Sequence, residues 1–214
     1  MRLRSLAQIL LTLLCIVPIS GCAPLVIGAL GGAAYMTASV VTDRRTAGTL
    51  VEDNSIENQA EAAFRDDIEI DEKAHINVTA YNLSVLLTGE APTESIRRRA
   101  EELVANIPRV RQVHNELRLA APSDFMARSG DLLITSRVKT SLLTLEIEGF
   151  DPSKIKIVTE DSTVYLLGLL TGPEADAVVE RVRRVNGVQR VVKVFEIIDS
   201  APENAATQRH TAMS

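Results

Sequence analysis

Apolar residues recur along this chain at two different periods, and each run occurs twice. Ile56, Ala60, Ala63 and Phe64 stand at the spacing of one helical face, and Ile134, Val138, Ser141 and Leu142 repeat it, with Thr135 and Ser136 early in that helix. Alternating runs follow in both places. Ile76, Val78 and Ala80, then Val85 and Leu87, predict two short strands, and Ile155 and Ile157, then Val164 and Leu166, predict their counterparts. Asn82 in the first case and Glu160-Asp161-Ser162 in the second supply the tight turns between them. A second helix is written in Ile96, Ala100, Leu103, Val104 and Ile107, and again in Ala175, Val178, Val179, Val182 and Val185. A closing strand is expected over residues 113–119 and 191–197.

The two runs are copies of one unit. His75-Ile76-Asn77-Val78-Thr79 with Val85-Leu86-Leu87-Thr88-Gly89 parallels Lys154-Ile155-Lys156-Ile157-Val158 with Val164-Tyr165-Leu166-Leu167-Gly168. Further on, Glu101 matches Glu180, and Ile107-Pro108-Arg109-Val110 matches Val185-Asn186-Gly187-Val188. The order helix, strand, strand, helix, strand predicts an α+β fold, two tandem domains that each hold a small three-stranded sheet packed by two helices. Units of roughly 65 residues are near the lower limit for folding alone, so the copies are expected to pack on each other. The domains are expected at residues 55–119 and 130–199, joined by a linker over 120–129 that contains Pro122, Ser123 and Asp124. A polar, disordered tail is expected over 200–214.

The amino terminus has a different pattern. Arg2 and Arg4 precede an apolar run over residues 6–19, and Ile19-Ser20-Gly21-Cys22 ends it, which is the anatomy of a secretory signal over 1–21. An aliphatic residue, two small residues and then cysteine resemble the lipobox of bacterial lipoproteins, which makes Cys22 the candidate lipidation site, its thiol becoming a thioether to diacylglycerol. Two other readings of the same residues stand beside this one: a chance cysteine after an ordinary signal, and an uncleaved anchor over the uncharged residues 23–41. Gly28, Gly31 and Gly32 with scattered Ala, Ser and Thr make that segment only mildly apolar for a span of about 20 residues. Residues 22–54 then read as a lipidated tether.

With Cys15 in the leader and Cys22 carrying lipid, no thiol is left for a disulfide, a redox pair or a cysteine zinc site. Loss of the leader removes Arg2 and Arg4 from the 23 basic residues and nothing from the 28 acidic ones, so the net charge falls from −5 to −7. A nucleic-acid binder would show the opposite balance.

The repeated pattern, with glycine after the second strand and a Val-x-x-Val approach to the last, resembles the BON domain of bacterial envelope proteins. The chain as a whole resembles the dual-BON outer-membrane lipoproteins of the DolP type. Three strings carry that likeness: Asp43-Arg44-Arg45-Thr46-Ala47-Gly48-Thr49, Ile76-Asn77-Val78-Thr79-Ala80-Tyr81 and Ile134-Thr135-Ser136-Arg137-Val138-Lys139. The resemblance implies a lipid anchor in the outer membrane, facing the periplasm, and Ala23 rather than aspartate after the cysteine fits that address. It implies a non-enzymatic role in envelope integrity, linked to anionic phospholipid and to division sites. An adaptor for an envelope-assembly factor or a cell-wall hydrolase regulator is the alternative.

In such proteins the first helix of the second domain contacts lipid. Here that helix is expected over about residues 132–145, and the implied lipid-binding residues are Leu133, Arg137, Lys139 and Thr140. Leu133 would enter the acyl boundary while Arg137 and Lys139 meet phosphate oxygens. Each cation contributes on the order of 1 kcal/mol, so the anchor must raise the effective concentration. The family position of Leu133 can be tryptophan, and this chain has none.

No catalytic pattern, cofactor motif or small-molecule substrate site emerges. His75, His114 and His210 are scattered without ligand spacing, and Gly28, Gly31 and Gly32 lack the GxGxxG frame. Asp66, Asp67, Glu69, Asp71 and Glu72 read as a solvated loop, without the alternating ligands, glycine and final glutamate of an EF-hand. Arg97-Arg98-Arg99 and Arg181, Arg183 and Arg184 read as solvated helix faces.

Overall fold

A computed structural model describes residues 43–123, 125–147 and 150–199. Cys22, the expected leader over 1–21 and the expected tail over 200–214 lie outside the described residues. Helix α1 (Ala47–Asp66) begins inside the expected tether rather than after it. Thr46 caps it, its hydroxyl accepting from the Thr49 N–H. Asp53 sits on the same buried stripe as Ile56, Ala60 and Phe64, so a carboxylate occupies the place where an apolar residue would have signalled the earlier turn. The acidic run is not a loop. Asp67 accepts from the Ile70 N–H and starts a short helix α2 (Ile68–Lys73), which buries Ile70.

Strands β1 (His75–Tyr81) and β2 (Ser84–Ala91) pair antiparallel, helix α3 (Glu94–Ala105) crosses over, and β3 (Gln112–Asn115) and β4 (Arg118–Leu119) return parallel to β2. The expected closing strand is therefore broken at Glu116 and Leu117, where Leu117 turns into the core. The second copy repeats the path. Helix α4 (Phe125–Leu143) starts within the expected 120–129 linker, ahead of the expected position near residue 132, and a 3-10 turn (Pro152–Lys154) precedes β5 (Lys156–Glu160). Strand β6 (Thr163–Leu170) pairs antiparallel with β5, helix α5 (Gly172–Val182) crosses, and β7 (Arg190–Ile197) pairs parallel with β6.

One buried aspartate organises each hairpin turn. The Asp53 carboxylate accepts from the N–H groups of Asn82 and Leu83 at 2.8 Å, and the Asp131 carboxylate accepts from those of Asp161 and Ser162 at 2.9 Å. All four turn residues have positive φ, the geometry of a two-residue hairpin loop that usually favours Asn and Gly. Two backbone donors satisfied by one carboxylate hold Leu83 and Ser162 in it.

The helices of each copy cover one face of its sheet, and the two sheets stack through the other. Val85 and Leu87 face the first core while Leu86 faces the joint; Val164 and Leu166 face the second core while Tyr165 and Leu167 face the joint. Strands β2 and β6 are thus buried on both faces, which is why Leu86 and Leu167 fill the positions between or beside the alternating Val85 and Leu87, and Val164 and Leu166. Tyr81 crosses the joint, its hydroxyl donating to the Lys154 carbonyl at 2.9 Å. Polar bonds ring this apolar centre: Lys156 to Glu57 at 2.7 Å, Arg118 to Asp161 at 2.7 Å, and Arg111 to Glu196 at 2.7 Å. Among the described residues, no helix is long and apolar enough to cross a membrane.

Candidate functional site

Helix α4 is held on the second sheet by Ile134, Val138 and Leu142, spaced four residues apart and buried. At 100° per residue the opposite face then carries Leu132, Leu133, Ser136, Arg137, Lys139, Thr140 and Leu143. Leu132, Leu133 and Leu143 are 71%, 59% and 73% exposed, so three large apolar side chains stand in solvent on one helix. Single exposed leucines are ordinary; here Leu132 and Leu133 are adjacent and Leu143 stands about 15 Å further along the helix axis.

The polar residues along this face are less polar than their letters suggest. Thr140 donates its hydroxyl to the Ser136 carbonyl at 3.0 Å, and Thr144 donates to Ser141 at 2.9 Å. Both hydroxyls are turned back onto their own helix.

The two cations lie on opposite flanks. Arg137 leans toward α5 and donates to the Asn186 carbonyl at 3.3 Å, lining a groove of about 750 Å³ with Arg181 and with Arg184, the last paired to Glu180 in the same groove. Gly187 has φ +101° there, and a Cβ on it would come 3.0 Å from Ile134. Lys139 lines a separate groove of about 440 Å³, largely apolar, with Leu143, Pro152 and Ile155. The structure therefore places Arg137 and Lys139 in different grooves; Leu143 lines the Lys139 groove, Leu132 lines a third one with His75 and Glu160, and Leu133 stands exposed on the face between the two cations. Leu133 and Thr140 are exposed on the face that helical spacing leaves beside the buried stripe; Leu132 and Leu143 were not anticipated. The signal was the two leucine doublets: with Ile134, Val138 and Leu142 as the buried stripe, Leu132, Leu133 and Leu143 must all fall outside it.

Other basic clusters are engaged. Arg97 pairs with Glu94 at 3.0 Å, Arg99 with Asp67 at 3.1 Å, and Glu180 takes both Arg183 and Arg184. These are ordinary helix-surface pairs, worth little each.

Residues 43–45 bind both domains. Arg44 donates to the Leu169 carbonyl at 2.7 Å and to both Glu174 oxygens at 2.7 and 2.6 Å. Burial alone would push the Glu174 carboxyl up; the Arg44 guanidinium, with the N–H and hydroxyl of Thr171, outweighs it and holds the pKa at about 2. Arg45 pairs with Asp43 and with Asp53 at 2.8 Å, and its guanidinium lies 4.0 Å from the centre of the Tyr81 ring. Burial, with Asp43 nearby, pushes the Tyr81 hydroxyl up to about 12. The chain enters the folded body at a fixed point as a result.

The BON domain family matches this chain twice, over residues 52–121 and 130–199. Outer membrane lipoprotein DolP of Haemophilus influenzae is 33% identical over 182 residues, which are 85% of this chain and 91% of that protein. A 21 kDa hemolysin of Actinobacillus pleuropneumoniae is 37% identical over 157 residues, 73% of this chain and 79% of that protein. Among solved structures, CdsD, a structural protein of the Chlamydia trachomatis type III secretion system, aligns at 10% identity over 72% of this chain and 96% of its own, with a TM-score of 0.25.

Proposed function

This chain belongs to the BON-domain family, among the two-domain relatives of DolP, and from that premise we propose that it is an outer-membrane lipoprotein that binds anionic phospholipid through α4. Cys22 carries the lipid, and the two domains face the periplasm. The protein makes and breaks no covalent bond; it supports envelope integrity by holding a lipid-reading surface at the membrane, at division sites in particular.

The observation that supports this most is the exposure of Leu132, Leu133 and Leu143 on the face of α4 that Arg137 and Lys139 flank, with Leu143 lining the apolar groove beside Lys139. Burying a leucine in an acyl boundary contributes about 1.5–3 kcal/mol, while a cation near an anionic surface adds about 1 kcal/mol. Three leucines with Arg137 and Lys139 make a moderate binder, and lipid at Cys22 would make it resident. The clamp of Arg44 and Arg45 bears on this directly, because it fixes where a tether from the membrane meets the domain that carries α4.

Flotation of residues 23–214 with phosphatidylglycerol vesicles tests the reading. The chain is expected to float with these and not with phosphatidylcholine, and Leu133→Asp with Arg137→Glu is expected to abolish it. Undiminished flotation of that variant would move the contact elsewhere, and no flotation together with a crosslinked envelope protein would favour the adaptor role.

A further inference from the structure

The joint between the domains contains a donor set of a different kind. His75 opens β1 and lies directly across from Glu90 on β2, while Glu160 ends β5 in the other domain. One ligand atom from each, the His75 ring nitrogen and a carboxylate oxygen of either glutamate, all lie within 4.8 Å of one another. Glu90 and Glu160 are buried. The Nδ1 atom of His75 is enclosed, accepts and donates no hydrogen bond, and stands 3.4 Å from the Glu90 carboxylate.

The neighbouring groups leave room for a cation in charge and in valence. Among the described residues, Glu90, Glu160, Asp131 and Asp161 meet here against Arg118 and Arg128, two more acidic than basic side chains. Glu90 already accepts from Arg118 at 2.7 Å and from the Ser123 N–H at 3.1 Å, and Glu160 from Asn77 at 3.1 Å. Each oxygen keeps a second lone pair, and such outer bonds are what orient carboxylate ligands.

We infer that His75, Glu90 and Glu160 form a zinc site that staples the two domains together. One imidazole and two carboxylates suit Zn²⁺, with water in the fourth position. Ligand atoms around tetrahedral zinc stand about 3.3 Å apart, so no gap has to close by more than roughly 1.5 Å. A glutamate rotamer change covers that distance. Arg128, an exposed residue of α4, now faces His75 Nε2 at 3.3 Å. Metal on Nδ1 places the ring proton on Nε2, so Arg128 must turn away.

Titration of Zn²⁺ into the metal-stripped full chain in detergent tests the inference. One ion per chain is expected, with the thermal midpoint of the protein raised by saturating metal. His75→Ala and Glu160→Gln are each expected to weaken binding at least tenfold. X-ray absorption on the zinc-loaded wild type gives a reading independent of any variant: one nitrogen and two or more oxygens at about 2.0–2.1 Å are expected. Absence of stoichiometric binding, unchanged affinity in both variants, or a shell holding two or more imidazoles would overturn the assignment.

Discussion

The Arg44 guanidinium and the Glu174 carboxylate meet through two hydrogen bonds, 2.7 and 2.6 Å long, with both side chains almost wholly enclosed. Removing one partner of a buried pair leaves the other charged and unpaired, at a cost of about 3 kcal/mol or more. Glu174→Gln is therefore expected to lower the urea midpoint of unfolding at neutral pH. The pair also sets an acid limit. Because the folded pKa is about 2 against an ordinary value of 4.5, its stabilisation is complete above pH 4.5 and is lost as pH falls toward 2. The gap between wild type and Glu174→Gln, on the order of 3 kcal/mol, should close across that window. A gap independent of pH would show that the carboxylate is not ionised in the folded protein.

Asp53→Ala and Asp131→Ala should each destabilise their own domain by about 1–3 kcal/mol, since each removes the acceptor of two backbone donors in a positive-φ turn. Asn restores an acceptor for one donor, so the Asn variants should lie between. Chemical unfolding of the four variants decides this, and equal losses for Ala and Asn would point to charge rather than hydrogen bonding.

Gly89 and Gly168 occupy the same place in the repeat but differ in what they tolerate. At Gly89 φ is +110° and a Cβ would sit 2.1 Å from the His75 carbonyl oxygen, whereas at Gly168 the nearest backbone atom is 3.4 Å away. Gly89→Ala should cost several times what Gly168→Ala costs in thermal stability. Equal costs would mean that the two strands bend alike.

Much of this architecture is legible in the chain because both copies keep the same core positions. Ile56, Ala60 and Phe64, then Ile134, Val138 and Leu142, fall on the buried stripes that helical spacing predicts. What periodicity cannot register is a polar residue serving inside. Asp53 at a core position hides the first turns of α1, and the caps at Thr46 and Asp67 turn a tether and an acidic run into helix. Leu86 and Leu167 read as surplus apolar residues until the sheets stack. On α4 the family pattern directs attention to Leu133, while the doublets Leu132-Leu133 and Leu142-Leu143 already place Leu132 and Leu143 off the buried stripe; the packing of the helix adds that Arg137 and Lys139 line different grooves. His75, Glu90 and Glu160 have no spacing to recognise, because strand pairing and domain packing assemble them.

If the leucines of α4 enter the acyl boundary, Leu132→Ser and Leu143→Ser should each weaken binding to phosphatidylglycerol vesicles about tenfold while leaving thermal stability nearly unchanged, since both side chains are exposed. Lys139→Gln should weaken it about fivefold at low salt and less at high salt, as screening predicts. Vesicle titrations at two salt concentrations separate the two contributions.

The most direct measurement of the central claim is depth. Residues 23–214 contain no cysteine, so Leu133→Cys and Arg98→Cys can each carry a single spin label, one on α4 and one on the exposed side of α3. With phosphatidylglycerol vesicles, the label at 133 should become shielded from a water-soluble nickel quencher and accessible to oxygen, while the label at 98 stays in water. Equal accessibility at the two positions, with vesicles bound, would contradict docking through α4.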